Sequence, residues 1–231
     1  IIIEVIMKTK KRKTTKITVP TALALICCFA VILIINNQPT ENTAKDEIIS
    51  LKDIPDYSGS AFIEINGNEP YFSDDDYTTS SFEYYADLDE LGRCGTAYAC
   101  VGTDIMPTEE RGQIGRIKPS GWQTVKYDFI DGKYLYNRCH LIAYQLTGEN
   151  ANEKNLITGT RYLNVTGMLP FENMVANYVK TTGNHALYRV TPVFENDNLV
   201  AKGVLIEAKS VEDKGEGVTL CVYTATMFSQ M

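Results

Sequence analysis

The first long feature in the hydrophobic pattern has no period. From Ile17 to Ile35 the chain reads ITVPTALALICCFAVILII, 19 residues without a charge, close to the ~20 that an α-helix needs to cross a bilayer. Lys8, Lys10, Lys11, Arg12, Lys13 and Lys16 precede it, and basic flanks stay on the cytoplasmic side. The pattern predicts a single-pass anchor over 17–35, a cytoplasmic basic tail over 1–16, and the rest of the chain outside the cell membrane. The rival is a cleaved signal peptide, whose apolar core runs about 7–15 residues and ends at a small-x-small site. Ile34-Ile35-Asn36-Asn37-Gln38 follows instead, so the uncleaved anchor is the expectation, with a secreted protein as the outcome of cleavage. Residues 36–60, polar and acidic (PTENTAKDE), read as an extracellular linker.

Beyond it the period shortens to two. Ala61 to Ile65 alternates and meets Asn66-Gly67, which predicts a hairpin. Tyr84 to Leu91 reads as a short helix or a loop, Thr96 to Val101 as a strand, Glu109 to Pro119 as a loop and Thr124 to Ile130 as a strand ending at Asp131-Gly132. The period then becomes helical. In Phe171 to Lys180, Met174, Val175, Tyr178 and Val179 fall on one face, with Pro170 before and Gly183 after as start and stop signals. Leu187 to Phe194, Leu199 to Glu207 and Val218 to Tyr223 read as strands, the first two joined by Asn196-Asp197-Asn198. Residues 61–231 are thus one α+β domain, an antiparallel sheet with a helix inserted between strands.

Charge changes the picture. Past the basic tail and the span, 16 cationic residues face 28 acidic ones, a difference of −12. That argues against a passive, high-affinity DNA-binding module, whose affinity rests on phosphate contacts, but allows a local cationic groove. Cys94, Cys100, Cys139 and Cys221 lie outside the span; their even number allows a disulfide. Zinc is disfavoured, since no CxxC spacing occurs and the chain has two histidines, His140 and His185.

A lone histidine is more often structural than catalytic. His140 differs in its company: it closes Asn137-Arg138-Cys139-His140, Asn155 opens Asn-Leu-Ile-Thr, and Asn164 and Glu172 lie eight apart across the start of the predicted helix. A histidine whose pKa lies near neutrality suits a general base, and an amide oxygen with a carboxylate suits a hard cation that keeps its waters. Arg138, Arg93, Arg111, Arg116 and Arg161 are candidates for a bidentate phosphate contact. His185, after Gly183-Asn184, reads as a helix C-cap, Trp122 as a core or rim anchor with base stacking the weaker alternative, and Thr158-Gly159-Thr160 as a turn.

From about Gly92 to Glu212 these elements resemble the DNA/RNA non-specific endonucleases of the ββα-metal type, in the branch of membrane-anchored DNA-uptake nucleases and streptococcal-type DNases. That signature is Asp-Arg-Gly-His, then Asn-(Ile/Leu)-x-(Pro/Thr), then an Asn and a Glu eight apart. The resemblance implies a ββα-metal site that hydrolyses phosphodiester bonds of DNA and RNA with little sequence preference. It implies His140 as general base and Asn164 as the one direct protein ligand of Mg²⁺, with Mn²⁺ as a substitute. It implies that Glu172 reaches the metal through water and that Asn155 supports the site; Arg138 and Asn137 complete the catalytic set, with no small-molecule cofactor. Two positions depart from the signature: Asn137 stands for its aspartate and Cys139 for its glycine. These departures keep two alternatives open. One is a catalytically weak nucleic-acid-binding or uptake protein on the same scaffold. The other is a Cys–His hydrolase, disfavoured because adjacent strand residues point to opposite faces.

Overall fold

The computed structural model describes residue 54, residues 59–130 and residues 132–227. The expected tail and anchor lie outside the described residues; among those described, no helix is long and apolar enough to cross a membrane.

Among the described residues are eight strands and two α-helices: β1 (Ile63–Glu64), β2 (Phe82–Tyr85), β3 (Ala97–Val101), β4 (Tyr136–His140), α1 (Tyr144–Thr147), β5 (Leu156–Thr160), α2 (Leu169–Thr182), β6 (Ala186–Val193), β7 (Gly203–Ser210) and β8 (Thr219–Ala225). Six strands make an antiparallel sheet in the order β1-β8-β7-β6-β3-β2, and β4 pairs with β5 as a separate antiparallel ribbon. Period-two alternation gives the sheet two buried faces. Tyr188, Val190, Val204, Ile206 and Val222 join the larger core, which also takes in Leu141, Ile157, Leu163 and Val175. Leu187, Leu205 and Tyr223 face the other way, under Ile63, Phe72 and Phe82. On that second face Arg189 forks onto Glu207, with Nε to Oε2 at 2.7 Å and Nη2 to Oε1 at 2.8 Å, so the two buried charges are paired.

The α+β class holds, and so do the helix, the β6–β7 hairpin and β8. Several local expectations do not. Ile63 and Glu64 form no local hairpin; Asn66–Asn68 is a 3₁₀ turn and β1 pairs with β8, Ile63 opposite Tyr223. Tyr84 and Tyr85 belong to β2 rather than to a helix. Thr124 to Ile130 makes one isolated bridge, Lys126 to Tyr134, rather than a strand. Thr158-Gly159-Thr160 is the end of β5, not a turn. In α2 the buried side is Phe171, Glu172, Val175, Ala176, Tyr178 and Val179, while Met174 is exposed. Pro170 stands in the first turn of α2 and Gly183, at φ 74°, caps its end with its N–H on the Val179 carbonyl. His185 is therefore not the cap; its Nδ1 pairs with Glu212 Oε1 at 2.6 Å.

Candidate active site

One strand, two turns and a helix carry the predicted residues: β4, the 3₁₀ turn that ends at Asn155, the π turn before α2, and α2. β4 ends in His140, β5 runs back beside it with His140 opposite Leu156, and the chain then winds into α2. The entry into α2 is a π turn, Leu163–Met168, closed by the Leu169 N–H donating to the Asn164 carbonyl. Single π turns recur at functional sites, and Asn164 lies in this one. It is half-buried, and its side chain has no hydrogen bond to another described residue. Glu172 follows in the first turn of α2 and is 6% exposed.

His140 is 5% exposed. Its Nε2 lies 2.8 Å from the main-chain carbonyl of Asn150. A carbonyl only accepts, so Nε2 carries the proton and Nδ1 keeps its lone pair. Arg111 Nη2 donates to that Nδ1 across 3.1 Å. Burial above all, then the Arg111 charge, lowers the His140 pKa to about 4, against the raising effect of the Asn150 carbonyl. The ring is accordingly neutral at pH 7. Burial pushes the Glu172 carboxyl up to about 8, with the Arg111 charge opposing. Glu172 has no hydrogen bond among the described residues. The Arg111 charge thus acts on both base and carboxylate, and Arg111 is itself exposed.

Asn155 is fully buried and faces the backbone rather than a metal. Its Oδ1 accepts from the Ile142 N–H at 2.8 Å and its Nδ2 donates to the Ile142 carbonyl at 2.9 Å, while its own carbonyl accepts from Leu141. It therefore clamps the chain immediately after His140. Arg138 is engaged by the loop before β4: Nε donates to the Ile117 carbonyl at 2.5 Å, Nη2 to that of Gly115 at 3.0 Å, and the guanidinium stacks 3.8 Å over Trp122. Asn137 is half-buried, and its Nδ2 lacks a partner among the described residues. Arg93 is held by Asp89 and by the Asn196 carbonyl, away from the site.

Cys139 is fully buried, and desolvation raises its thiol well above the ordinary range. Such a thiol is no nucleophile. A Cβ on Gly159 would lie 2.7 Å from its Sγ; the room that a glycine at 139 would leave is supplied across the ribbon. Cys94, Cys100, Cys139 and Cys221 are all buried and free, so the even number of cysteines does not signal a disulfide.

Sequence reasoning left Arg111 as one of five arginines and passed over Asn150. Asn150 acts through its main-chain carbonyl, which no side-chain pattern announces. Arg111 reaches His140 from a loop without periodicity.

The comparisons bear on the family and the fold. Residues 73–212 match the family model of the DNA/RNA non-specific endonucleases. The chain belongs to that family and is a hydrolase of phosphodiester bonds. NucA from Streptococcus agalactiae, solved with magnesium ion bound, is 25% identical with a TM-score of 0.63, over 72% of this chain and 80% of that one. The same nuclease with no metal bound is 24% identical with a TM-score of 0.66, over 82% and 90%. Sda1 nuclease with bound zinc ion shares the fold at 22% identity and a TM-score of 0.59, over 73% and 90%. No curated protein sequence matches the chain.

Proposed function

We propose that this protein is a metal-dependent endonuclease that cuts DNA and RNA with little sequence preference, with neutral His140 as general base. The observation that carries the reading is the tautomer of His140: with Nε2 committed to the Asn150 carbonyl, Nδ1 is the one ring position able to take a proton. That atom faces Arg111, the cation that a phosphate would meet.

The donor set fits a hard divalent cation. Mg²⁺ keeps most of its waters and so needs few protein ligands. Asn164 offers an unpartnered amide oxygen, and Glu172 is a buried carboxylate without a hydrogen bond, a costly arrangement unless a cation or its water answers it. Asn164 would hold the ion directly and Glu172 through water; Mn²⁺ would serve in place of Mg²⁺. When bound, the cation neutralises charge on the phosphate and the leaving 3′ oxygen.

The residues of the chain do the rest. A phosphodiester anion offers Arg111 two oxygen acceptors in place of one ring nitrogen, so substrate draws the guanidinium off Nδ1 and frees the lone pair. Nδ1 then takes the proton of the attacking water as its oxygen bonds to phosphorus and the 3′ oxygen leaves. Asn155 fixes the backbone beyond His140, and Arg138 braces the loop that bears Arg111.

The extracellular placement follows the expected anchor over 17–35, and a protease-shaving assay on intact cells tests it. Plasmid degradation with Mg²⁺, by wild type and by His140→Ala, tests the chemistry. Equal cutting by both would remove His140 from the mechanism. Salt-dependent DNA binding without any Mg²⁺-dependent cutting would make the protein the binding or uptake module instead.

A further inference from the structure

The segment between Arg111 and Arg138 differs in charge from the rest of the domain. It carries Arg111, Arg116, Lys118, Lys126, Lys133 and Arg138 against Asp128 and Asp131, a net +4 in a chain of net −7. Both its ends are tied into the site: Arg111 donates to His140, and Arg138 lies two residues before it on β4. Between them the chain turns back on itself in a narrow ribbon, with Tyr127 N–H on the Lys133 carbonyl at 2.9 Å and Leu135 N–H on that of Val125 at 3.0 Å.

This ribbon carries aromatic rings in water. Phe129 is 74% exposed, Tyr127 44% and Tyr134 45%. The Tyr127 and Phe129 rings lie 5.2 Å apart, tilted by 31°, and Lys126 Nζ lies 4.6 Å over the Tyr134 ring. Nothing in the core needs them, since the three core clusters contain none of the three. Contiguous exposed apolar surface marks a binding surface. Aromatic faces set among cations are the combination that holds unpaired nucleobases, each base stacking on a ring while the cations follow the phosphates.

We infer that Tyr127, Phe129 and Tyr134 form a stacking platform for unpaired bases on the ribbon whose two ends enter the site, so that the enzyme grips single-stranded nucleic acid better than duplex. The inference rests on the nuclease reading of the site. In a duplex the base faces are already stacked on one another, and the ribbon meets phosphates alone.

The test compares wild type with Tyr127→Ala/Phe129→Ala and with Phe129→Trp. The substrates are a single-stranded oligonucleotide, its blunt duplex, and the same strand with abasic sites flanking the cut, each in deoxy and ribo form. Losing the rings should raise KM for the single strand about tenfold, the low end for base–aromatic stacking, with kcat held. Duplex and abasic strand should respond far less, and Phe129→Trp should retain the wild-type KM. A KM rise as large on the abasic strand, or none on any strand, overturns the platform. Loss of binding to phosphatidylglycerol vesicles with KM unchanged also overturns it and makes the ribbon a membrane contact. If wild type cuts nothing with Mg²⁺ or Mn²⁺, the nuclease reading has failed, and 2-aminopurine in the bound strand still decides the stacking. Quenching by wild type that the double variant lacks supports the platform, and equal fluorescence overturns it.

Discussion

Arg111 Nη2 donates to His140 Nδ1 across 3.1 Å, so the lone pair that would accept a proton is occupied by a cation. Burial is the largest cause of the lowered His140 pKa and Arg111 adds to it. Arg111→Gln should therefore raise that pKa from about 4 without restoring the ordinary 6.5, because the burial remains. An NMR titration of the ring protons measures it. The same variant should lose about 10- to 100-fold in kcat/KM, the worth of a charge-assisted hydrogen bond to phosphate. A midpoint that does not move would detach Arg111 from the electrostatics of the base.

Two groups give the metal-free domain opposite pH slopes. His140 has a depressed pKa, so its contribution to stability is present above about 6.5 and lost as pH falls towards about 4. Glu172 has a raised pKa, so its contribution is present below about 4.5 and lost as pH rises through about 8. Glu172→Gln removes the second slope. In EDTA the variant should be more stable than wild type at pH 8.5, by an amount on the order of a few kcal/mol, and the gap should close near pH 4.5. Thermal melts across pH read it. Mg²⁺ should raise the wild-type midpoint at pH 8.5 more than that of the variant. A constant gap at every pH would mean that the Glu172 carboxyl is not desolvated.

The legible parts of this protein were those where one side chain type repeats or one motif is contiguous. α2 and the β6–β7 hairpin follow from periodicity, and His140, Asn155, Asn164 and Glu172 from spacing. β1 was misread because Asn66-Gly67 is a strong local turn signal, whereas the partner of Ile63 is Tyr223 near the other end of the chain. Arg138 sits in the motif, but no spacing announces that Gly115, Ile117 and Trp122 engage its guanidinium. A sequence shows which residue is available, not which neighbour reaches it first.

Asn155 gives a prediction in which stability and chemistry separate. Asn155→Ala leaves the Ile142 N–H and carbonyl without their side-chain partners in the core. Each of the two orphaned buried groups costs about 1–3 kcal/mol, so the melting temperature should fall by roughly 5–20 °C. Mg²⁺ affinity should change little, since neither polar atom of Asn155 is free to ligate. Calorimetry and a metal titration of activity check both halves. A large rise in the Mg²⁺ requirement with an unchanged melting temperature would make Asn155 a ligand instead of a clamp.

Gly159 links the second departure from the family signature to the π turn that carries Asn164. A Cβ there would lie 2.7 Å from Cys139 Sγ and 2.9 Å from Leu163 Cδ2. Overpacking of this kind costs about 1–3 kcal/mol, and Gly159→Ala should lose that much in a denaturant titration. Cys139→Gly removes one clash and leaves the other. The double variant should therefore recover part of the stability, with a coupling energy that a double-mutant cycle reads directly. Activity should recover less than stability, because Leu163 opens the π turn that carries Asn164 and its contact with the new methyl persists. A double variant no more stable than Gly159→Ala would mean that Cys139 does not fill the space opposite Gly159. Full recovery of kcat would mean that a shift of Leu163 is not transmitted to Asn164.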